Sequence, residues 1–236
     1  MTEEIKAATV LPAIREEIAL GTEDGQTLVG ELALPLGKDP IATLITLHPL
    51  PTHGGFMDSH ILRKASNRLP ELLGVAVLRF NTRGTESPRG RSSGRFDGGN
   101  LERFDVAAAV KFCQERGLRN LWLVGWSFGT ELAIKYGPDH QISGAILLSP
   151  PLHRATDDDL RRWNLTQKPL IALVPGEDDY LKPQEAQERF AIVPHAKVIG
   201  FEGEKHLWVG EKATRKVLDQ IAEVVSPGSS PLPTEY

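Results

Sequence analysis

Short apolar runs alternate with longer amphipathic segments along most of the chain. The runs suit strands that are buried on both faces of a parallel sheet, and they cover residues 41–47, 75–80, 121–124, 142–148 and 170–174. Apolar residues at helical spacing occupy residues 59–73, 101–116, 128–136, 183–190 and 212–225. This alternation predicts an α/β fold with a mostly parallel sheet, helices on both faces, and ligand-binding residues directly after the strands.

The two ends of the chain and one internal segment depart from this pattern. Residues 17–34 form two extended runs around Asp24-Gly25, a pair that favours the positive φ angles of a hairpin turn. We expect an antiparallel edge there, and a short run at 196–199 brings the predicted sheet to eight strands. Residues 83–100, rich in Gly, Ser and Arg, predict a long loop near the site, and residues 226–236 predict a disordered tail.

The composition is typical of one globular domain, which we expect to span residues 1–225. The chain has 236 residues, 40% of them hydrophobic, with 27 basic and 31 acidic residues interspersed. Nucleic acids and anionic membranes favour clustered Lys and Arg, so neither is an expected partner. The single cysteine, Cys113, excludes an internal disulfide framework, and the polar start of the chain lacks the apolar run of a secretory signal. We therefore expect a cytoplasmic protein.

The most informative motif is Gly125-Trp126-Ser127-Phe128-Gly129, a GxSxG pattern. It follows the apolar run at 121–124 and precedes a helical segment, which is the setting of a nucleophile elbow. Small residues two positions on either side of the serine allow strand and helix to approach closely, so that the serine Oγ is exposed to a substrate. The sequence predicts Ser127 as a catalytic nucleophile.

A serine hydroxyl becomes nucleophilic when a base removes its proton and a third group orients that base. After an elbow serine, the acid and then the histidine follow along the chain. His206 follows the short strand at 196–199, whereas His195 precedes it and is expected at the opposite edge of the sheet. His206 is therefore the predicted base. The polar turn after the run at 170–174 offers three acids, namely Glu177, Asp178 and Asp179.

An acyl-transfer site also needs backbone N–H donors for the tetrahedral oxyanion. One expected donor is the amide of Phe128, directly after the serine. The second is expected in the loop after the third strand, where Pro49 and Pro51 carry no N–H and leave the amide of Leu50.

Three histidines near this loop raise the question of a metal site, since imidazole is a common zinc ligand. They are His48, His53 and His60. No carboxylate or cysteine shares a ligand spacing with them, so we predict hydrogen bonds that brace the loop, made above all by His48, and no metal.

These motifs, in this order, resemble the α/β-hydrolase superfamily and, within it, the small bacterial serine hydrolases of the dienelactone-hydrolase-like type. Besides GxSxG, the resemblance rests on HPxPxxGGxM at 48–57, RFNxRG at 79–84 and FDxGxxExxD at 96–105, and it covers about residues 41–209. It implies the α/β-hydrolase fold. Only about twenty residues, 150–169, stand where the family carries its cap, so little or no cap domain is expected.

The resemblance also implies a function and the identity of the acid. The family's acid usually follows a glycine by three positions, which favours Asp179, with Asp178 as the alternative. The implied reaction is attack of Ser127 on a small-molecule carboxylic ester with His206 as base, and it needs no cofactor. A small open pocket suits short-chain acyl groups, and the candidate substrate-binding residues are Phe56, Trp126, Tyr180 and Trp208. The same triad would serve a thioesterase, acyltransferase or peptidase, and a non-catalytic scaffold is the alternative of another class.

Overall fold

The computed structural model describes residues 3–236, so residues 1 and 2, with which the predicted domain begins, lie outside the described residues. The strands are β1 (Ile14–Gly21), β2 (Thr27–Leu34), β3 (Thr43–Leu47), β4 (Ala76–Phe80), β5 (Glu86–Ser87), β6 (Gly90–Arg91), β7 (Leu121–Trp126), β8 (Gly144–Leu148), β9 (Leu170–Pro175) and β10 (Lys197–Phe201). The α-helices are α1 (His60–Leu73), α2 (Arg103–Glu115), α3 (Phe128–Tyr136), α4 (Asp157–Thr166), α5 (Pro183–Phe190) and α6 (Glu211–Val225).

Eight of these strands form one sheet in the order β1-β2-β4-β3-β7-β8-β9-β10. The β1–β2 and β2–β4 pairs are antiparallel, and every pair from β4 onward is parallel. The predicted eight-stranded, mostly parallel sheet is therefore confirmed, including its antiparallel edge. Because β3, β7, β8 and β9 are buried along their whole length, their sequences show continuous apolar runs without alternation.

Helices cover both faces of the sheet, as predicted. One apolar core lies between the sheet and helices α2 to α5, and it includes Val106, Leu132 and Phe190. A second core lies on the other face, where α1 and α6 contribute residues such as Ile61 and Val217. None of the helices within residues 3–236 has both the length and the apolar character that crossing a bilayer requires.

Two elements appear where the sequence pattern predicted none. Helix α4 lies between β8 and β9, begins at a capping box in which Thr156 and Asp159 bond reciprocally, and is fixed to α3 by a 2.9 Å hydrogen bond from Trp163 Nε1 to the Ile134 carbonyl. It is the only helix in this segment, which accords with the expectation of little or no cap. The predicted loop at 83–100 contains the two-stranded hairpin β5–β6.

Ion pairs hold the 83–100 segment against the sheet. Arg83 bonds Asp105 through its backbone amide and its guanidinium, and it also reaches Asp24 on the β1–β2 turn. At the hairpin, Arg89 forms 2.9 Å ion pairs with both Glu31 and Asp58. The segment therefore has many fixed attachments, although its composition predicted an irregular loop.

Glu31 is the centre of this ionic cluster and is almost completely buried. Burial alone would raise the pKa of Glu31, but Arg79, Arg89 and Arg15 together lower it below its usual value. The carboxylate therefore stays ionised inside the protein because three guanidinium groups surround it.

The predicted disordered tail is wrong, because residues 226–236 pack back onto the domain. The side chain of Leu232 is 4% exposed and belongs to the apolar core beneath α6, while its amide donates a 2.9 Å hydrogen bond to Asp219 Oδ1. The amide of Tyr236 in turn bonds the Glu3 carbonyl at 3.1 Å. The low-complexity composition did not reveal that one buried leucine anchors the segment.

The packing of the tail predicts a measurable contribution to stability. Leu232→Ala should lower the free energy of unfolding by about 2–3 kcal/mol, because a buried leucine is truncated. Leu36→Ala, which truncates a leucine that is 49% exposed, should change it by less than about 0.5 kcal/mol. Urea unfolding of both variants measures the difference. Equal stability of the two variants would mean that the tail does not pack in solution.

Candidate active site

Ser127 lies at a sharp turn between β7 and α3, with backbone angles φ 52° and ψ −115°. Such a conformation is strained for a residue with a side chain and persists only when its surroundings impose it. A Cβ atom at Gly125 would lie 2.4 Å from the Gly129 carbonyl oxygen, and one at Gly129 would lie 2.0 Å from the Leu47 carbonyl oxygen. The two glycines of GxSxG are therefore steric requirements, and the strand–turn–helix context predicted for the motif is present.

The structure brings Ser127 and His206 together although 79 residues separate them. Ser127 Oγ lies 2.9 Å from His206 Nε2, and His206 Nδ1 lies 2.9 Å from Asp178 Oδ2. These distances match a nucleophile hydrogen-bonded to a base that an acid orients. His195, by contrast, lies near the amino end of β10, where its Nε2 contacts the Lys168 carbonyl at 3.0 Å.

The carboxylate that contacts His206 belongs to Asp178, so the choice of Asp179 is corrected. The Asp178 side chain is buried and bonds His206, whereas Asp179 is exposed to solvent. The reason is local: the Asp178 amide closes a turn onto the Pro175 carbonyl at 3.3 Å, and the Tyr180 amide donates to Asp178 Oδ1 at 2.9 Å. Both contacts turn the carboxylate of Asp178 towards the sheet edge.

The carbonyl group of His206 is held by side chains from the carboxyl ends of β7 and β8. Its carbonyl oxygen accepts a 3.2 Å hydrogen bond from Trp126 Nε1 and a 2.9 Å bond from Ser149 Oγ. Trp208 Nε1 donates to Ser149 Oγ at 2.8 Å and completes the chain of contacts. These bonds hold the loop after β10 so that the imidazole reaches Ser127.

Two of the predicted substrate-binding residues are therefore wrong. Trp126 is 2% exposed and Trp208 is fully buried, and both lie in the core on the α1–α6 face of the sheet. They position His206 and have no surface in the cavity beside Ser127.

A cavity of about 280 Å³ opens beside Ser127. Its walls are made by residues that follow β3, β7, β8, β9 and β10, namely Pro49, Leu50, His53, Phe128, Pro151, His153, Arg154, Tyr180, His206 and Leu207. Tyr180 therefore lies where a substrate-binding residue was expected. Phe56 does not: it lines a separate cavity of about 420 Å³. That cavity lies between the 83–100 segment and the loop after β3, residues 48–57, in which an oxyanion donor was expected and which is called the oxyanion loop below.

The amides expected to stabilise an oxyanion both belong to residues that line the cavity. Phe128 is the first residue of α3, and the amides of the first turn of a helix have no partner within the helix. Within residues 3–236, neither the Phe128 amide nor the Leu50 amide donates a hydrogen bond to another protein group. Both are therefore available to a bound substrate.

His48 braces the oxyanion loop, as the sequence predicted. Its Nε2 accepts a 3.0 Å hydrogen bond from the Thr82 amide, and its Nδ1 donates to the Pro49 carbonyl at 2.7 Å. Complete burial lowers the pKa of His48 to about 4, and the bond to Pro49 opposes this only in part. The ring is therefore neutral, which its role as an acceptor for the Thr82 amide requires.

The other two histidines near this loop have separate partners. His53 Nδ1 contacts Thr52 Oγ1 at 3.1 Å, and His60 Nε2 contacts the Trp208 carbonyl at 3.1 Å. In the part of the chain that the structure describes, no group of three or more His, Cys, Asp or Glu side chains has the arrangement of a metal site.

The sequence did not identify several residues that the structure places at the site. Ser149, His153 and Arg154 follow β8, and the cavity also includes Leu207. Arg154 lies beside the ring of Phe128 and pairs with the buried Glu131 at 3.2 Å. Their position after a strand was the only available signal, since none of them belongs to a recognisable motif.

Comparison with known proteins adds information at the level of the fold. No protein-family model matches this chain, and no curated protein matches it. Solved structures match it over most of its length. An α/β serine hydrolase homologue from Coxiella burnetii is 23% identical, with a TM-score of 0.72 over 89% of this chain and 95% of that one.

Two further structures extend the comparison. A lidless member of the α/β serine hydrolases from Xanthomonas campestris is 23% identical, with a TM-score of 0.70 over 92% of this chain and 94% of that one. An esterase from Pyrococcus furiosus is 20% identical, with a TM-score of 0.73 over 92% and 94% of the two chains. The present chain therefore has the α/β-hydrolase fold that the sequence predicted.

The buried, neutral His48 predicts a pH dependence of stability. Unfolding returns its pKa from about 4 to an ordinary value near 6.5, so the unfolded state binds more protons between these pH values. Stability should therefore fall as the pH drops from about 6.5 to about 4, and His48 accounts for at most about 3 kcal/mol of this loss. His48→Gln keeps an acceptor for the Thr82 amide and should flatten this slope, as measured by urea unfolding at several pH values.

The matched control for this measurement is His53→Gln, which changes an exposed histidine of the same loop. It should keep the wild-type dependence on pH. If His48→Gln and wild type have the same slope, residue 48 is not the group responsible.

Proposed function

We propose that this chain is a serine hydrolase that cleaves carboxylic esters with small or short acyl groups. The observation that carries the proposal is the continuous contact of Asp178, His206 and Ser127, with 2.9 Å between His206 and each of its two partners. The lidless serine hydrolase and the esterase of the same fold add support.

The proposed reaction begins with attack of Ser127 Oγ on the ester carbonyl while His206 Nε2 accepts the hydroxyl proton. Asp178 holds the imidazole by its Nδ1–H and stabilises the imidazolium. The carbonyl oxygen becomes an oxyanion that accepts hydrogen bonds from the amides of Leu50 and Phe128, and loss of one such donor typically costs about 10²–10³ in rate.

The tetrahedral intermediate then collapses. The bond from the carbonyl carbon to the alcohol oxygen breaks, and His206 returns its proton to that oxygen, which leaves an acyl group on Ser127. Water next loses a proton to His206, attacks the acyl-enzyme and releases the carboxylic acid, while Ser127 regains its proton. The cavity of about 280 Å³ lies just below the usual range for ligand pockets, about 300–1,000 Å³, which favours small acyl groups.

The proposal predicts covalent labelling and ester turnover that depend on Ser127. A fluorophosphonate probe should label the wild-type chain, and p-nitrophenyl acetate and butyrate should be hydrolysed faster than long-chain esters. Ser127→Ala should abolish labelling and lower kcat by at least about 10³, since it removes the nucleophile. Absence of labelling in the wild type would contradict the proposal, while labelling without ester turnover would favour a thioesterase, acyltransferase or peptidase.

The two neighbouring aspartates offer a matched pair. Asp178→Asn should lower kcat by about 10²–10⁴ with little change in KM, because the imidazole loses the group that fixes its tautomer. Asp179→Asn should stay within about threefold of wild type, since that side chain is exposed. Steady-state kinetics on p-nitrophenyl acetate, with circular dichroism to verify folding, measure both. A large effect at residue 179 alone would identify the other carboxylate as the acid.

A further inference from the structure

The proposed reaction determines where the alcohol half of an ester must lie. His206 Nε2 is the group that returns a proton to the departing oxygen, so that oxygen must come within hydrogen-bond distance of Nε2. The first carbon atoms of the alcohol are therefore adjacent to the imidazole. The part of the cavity wall next to His206 is consequently the part that contacts the leaving group.

Two apolar side chains form the wall at this point. The rings of Tyr180 and His206 meet edge to face with centroids 4.7 Å apart, and Leu207 is the next residue along the chain. His153 extends the wall, because its ring and the Tyr180 ring meet edge to face with centroids 5.4 Å apart. All three residues line the same cavity as Ser127.

These side chains are unusually exposed for their type. Tyr180 and Leu207 are each 54% exposed, although most large apolar side chains of the sheet core are under 10% exposed. Covering apolar surface is favourable, and aromatic rings pack well against other rings in edge-to-face or offset geometry. Tyr180 and Leu207 carry no charge, and Arg154, the arginine of the same cavity, is already paired with Glu131. The surface of this wall therefore suits an apolar group.

We propose that Tyr180, Leu207 and His153 form a leaving-group subsite that selects esters of apolar alcohols, above all alcohols with an aromatic ring. This inference rests on the proposed ester hydrolysis, and it adds that the alcohol half of the ester determines which substrates are preferred. In this arrangement the acyl group lies in the cavity beside Ser127, and the exposed wall contacts the alcohol that departs.

The test uses acetate esters of primary alcohols with similar basicity, so that the acyl group and the intrinsic reactivity change little. Wild-type kcat/KM should rise by about tenfold from ethyl acetate to benzyl acetate, and further to 2-naphthylmethyl acetate, because more apolar surface is covered. Leu207→Ser and, separately, Tyr180→Ser should reduce the ratio of benzyl to ethyl acetate by at least about threefold. The ratio cancels any general effect of either substitution on the triad.

The matched control is Leu165→Ser at the end of α4, where the leucine is 82% exposed and lies outside the cavity. It should keep the wild-type ratio and the wild-type rate. The subsite would be overturned if wild type hydrolysed all the acetates with the same kcat/KM. It would also be overturned if Leu207→Ser and Tyr180→Ser kept the wild-type ratio of benzyl to ethyl acetate. Neither result would contradict the proposed ester hydrolysis. If the wild type neither hydrolysed the esters nor reacted with the fluorophosphonate probe, both the proposed function and the subsite would be overturned.

Discussion

The structure of the site depends on the close approach of strand β7, strand β3 and helix α3 around a single strained residue. Ser127 adopts a positive φ because the chain must turn directly from β7 into α3. The turn is tolerated only because residues 125 and 129 have no side chain, as the 2.4 Å and 2.0 Å distances to backbone oxygens show. The surrounding sheet holds the strained serine in place, since both neighbouring strands are completely buried.

A second constraint acts on His206, the partner of Ser127. His206 lies on an exposed loop, and loops of this kind are mobile unless their backbone groups are bound. Here Trp126 and Ser149 bind its carbonyl oxygen, and Trp208 binds Ser149. Two buried indole rings therefore connect the apolar core to the position of His206. The same core that stabilises the sheet also determines the geometry of the site.

A cluster of buried charge lies on strands β2 and β4, where Glu31 and Arg79 are paired. Glu31 remains ionised because three arginines surround it, and Arg89 connects this cluster to the hairpin in the 83–100 segment. Removal of one partner from such a cluster leaves an uncompensated buried charge, which is costly. The ionic contacts therefore specify where the segment lies, which its glycine-rich composition cannot do.

The sequence alone determined the sheet, the order of its elements, the sharp turn at Ser127 and the choice of His206 as the histidine that contacts it. The spacing of apolar residues shows whether a strand or helix is buried on one face or two, and GxSxG before a helix indicates a sharp turn. Both signals lie within short stretches of sequence, so they can be read without the tertiary structure. The choice between Asp178 and Asp179, the roles of Trp126 and Trp208, and the packing of residues 226–236 depended on the tertiary structure. The last two features arise from contacts between segments far apart in the chain. Two adjacent aspartates differ only in which one a turn directs towards His206, and a tryptophan at an active strand end can face the core or the cavity with the same sequence pattern.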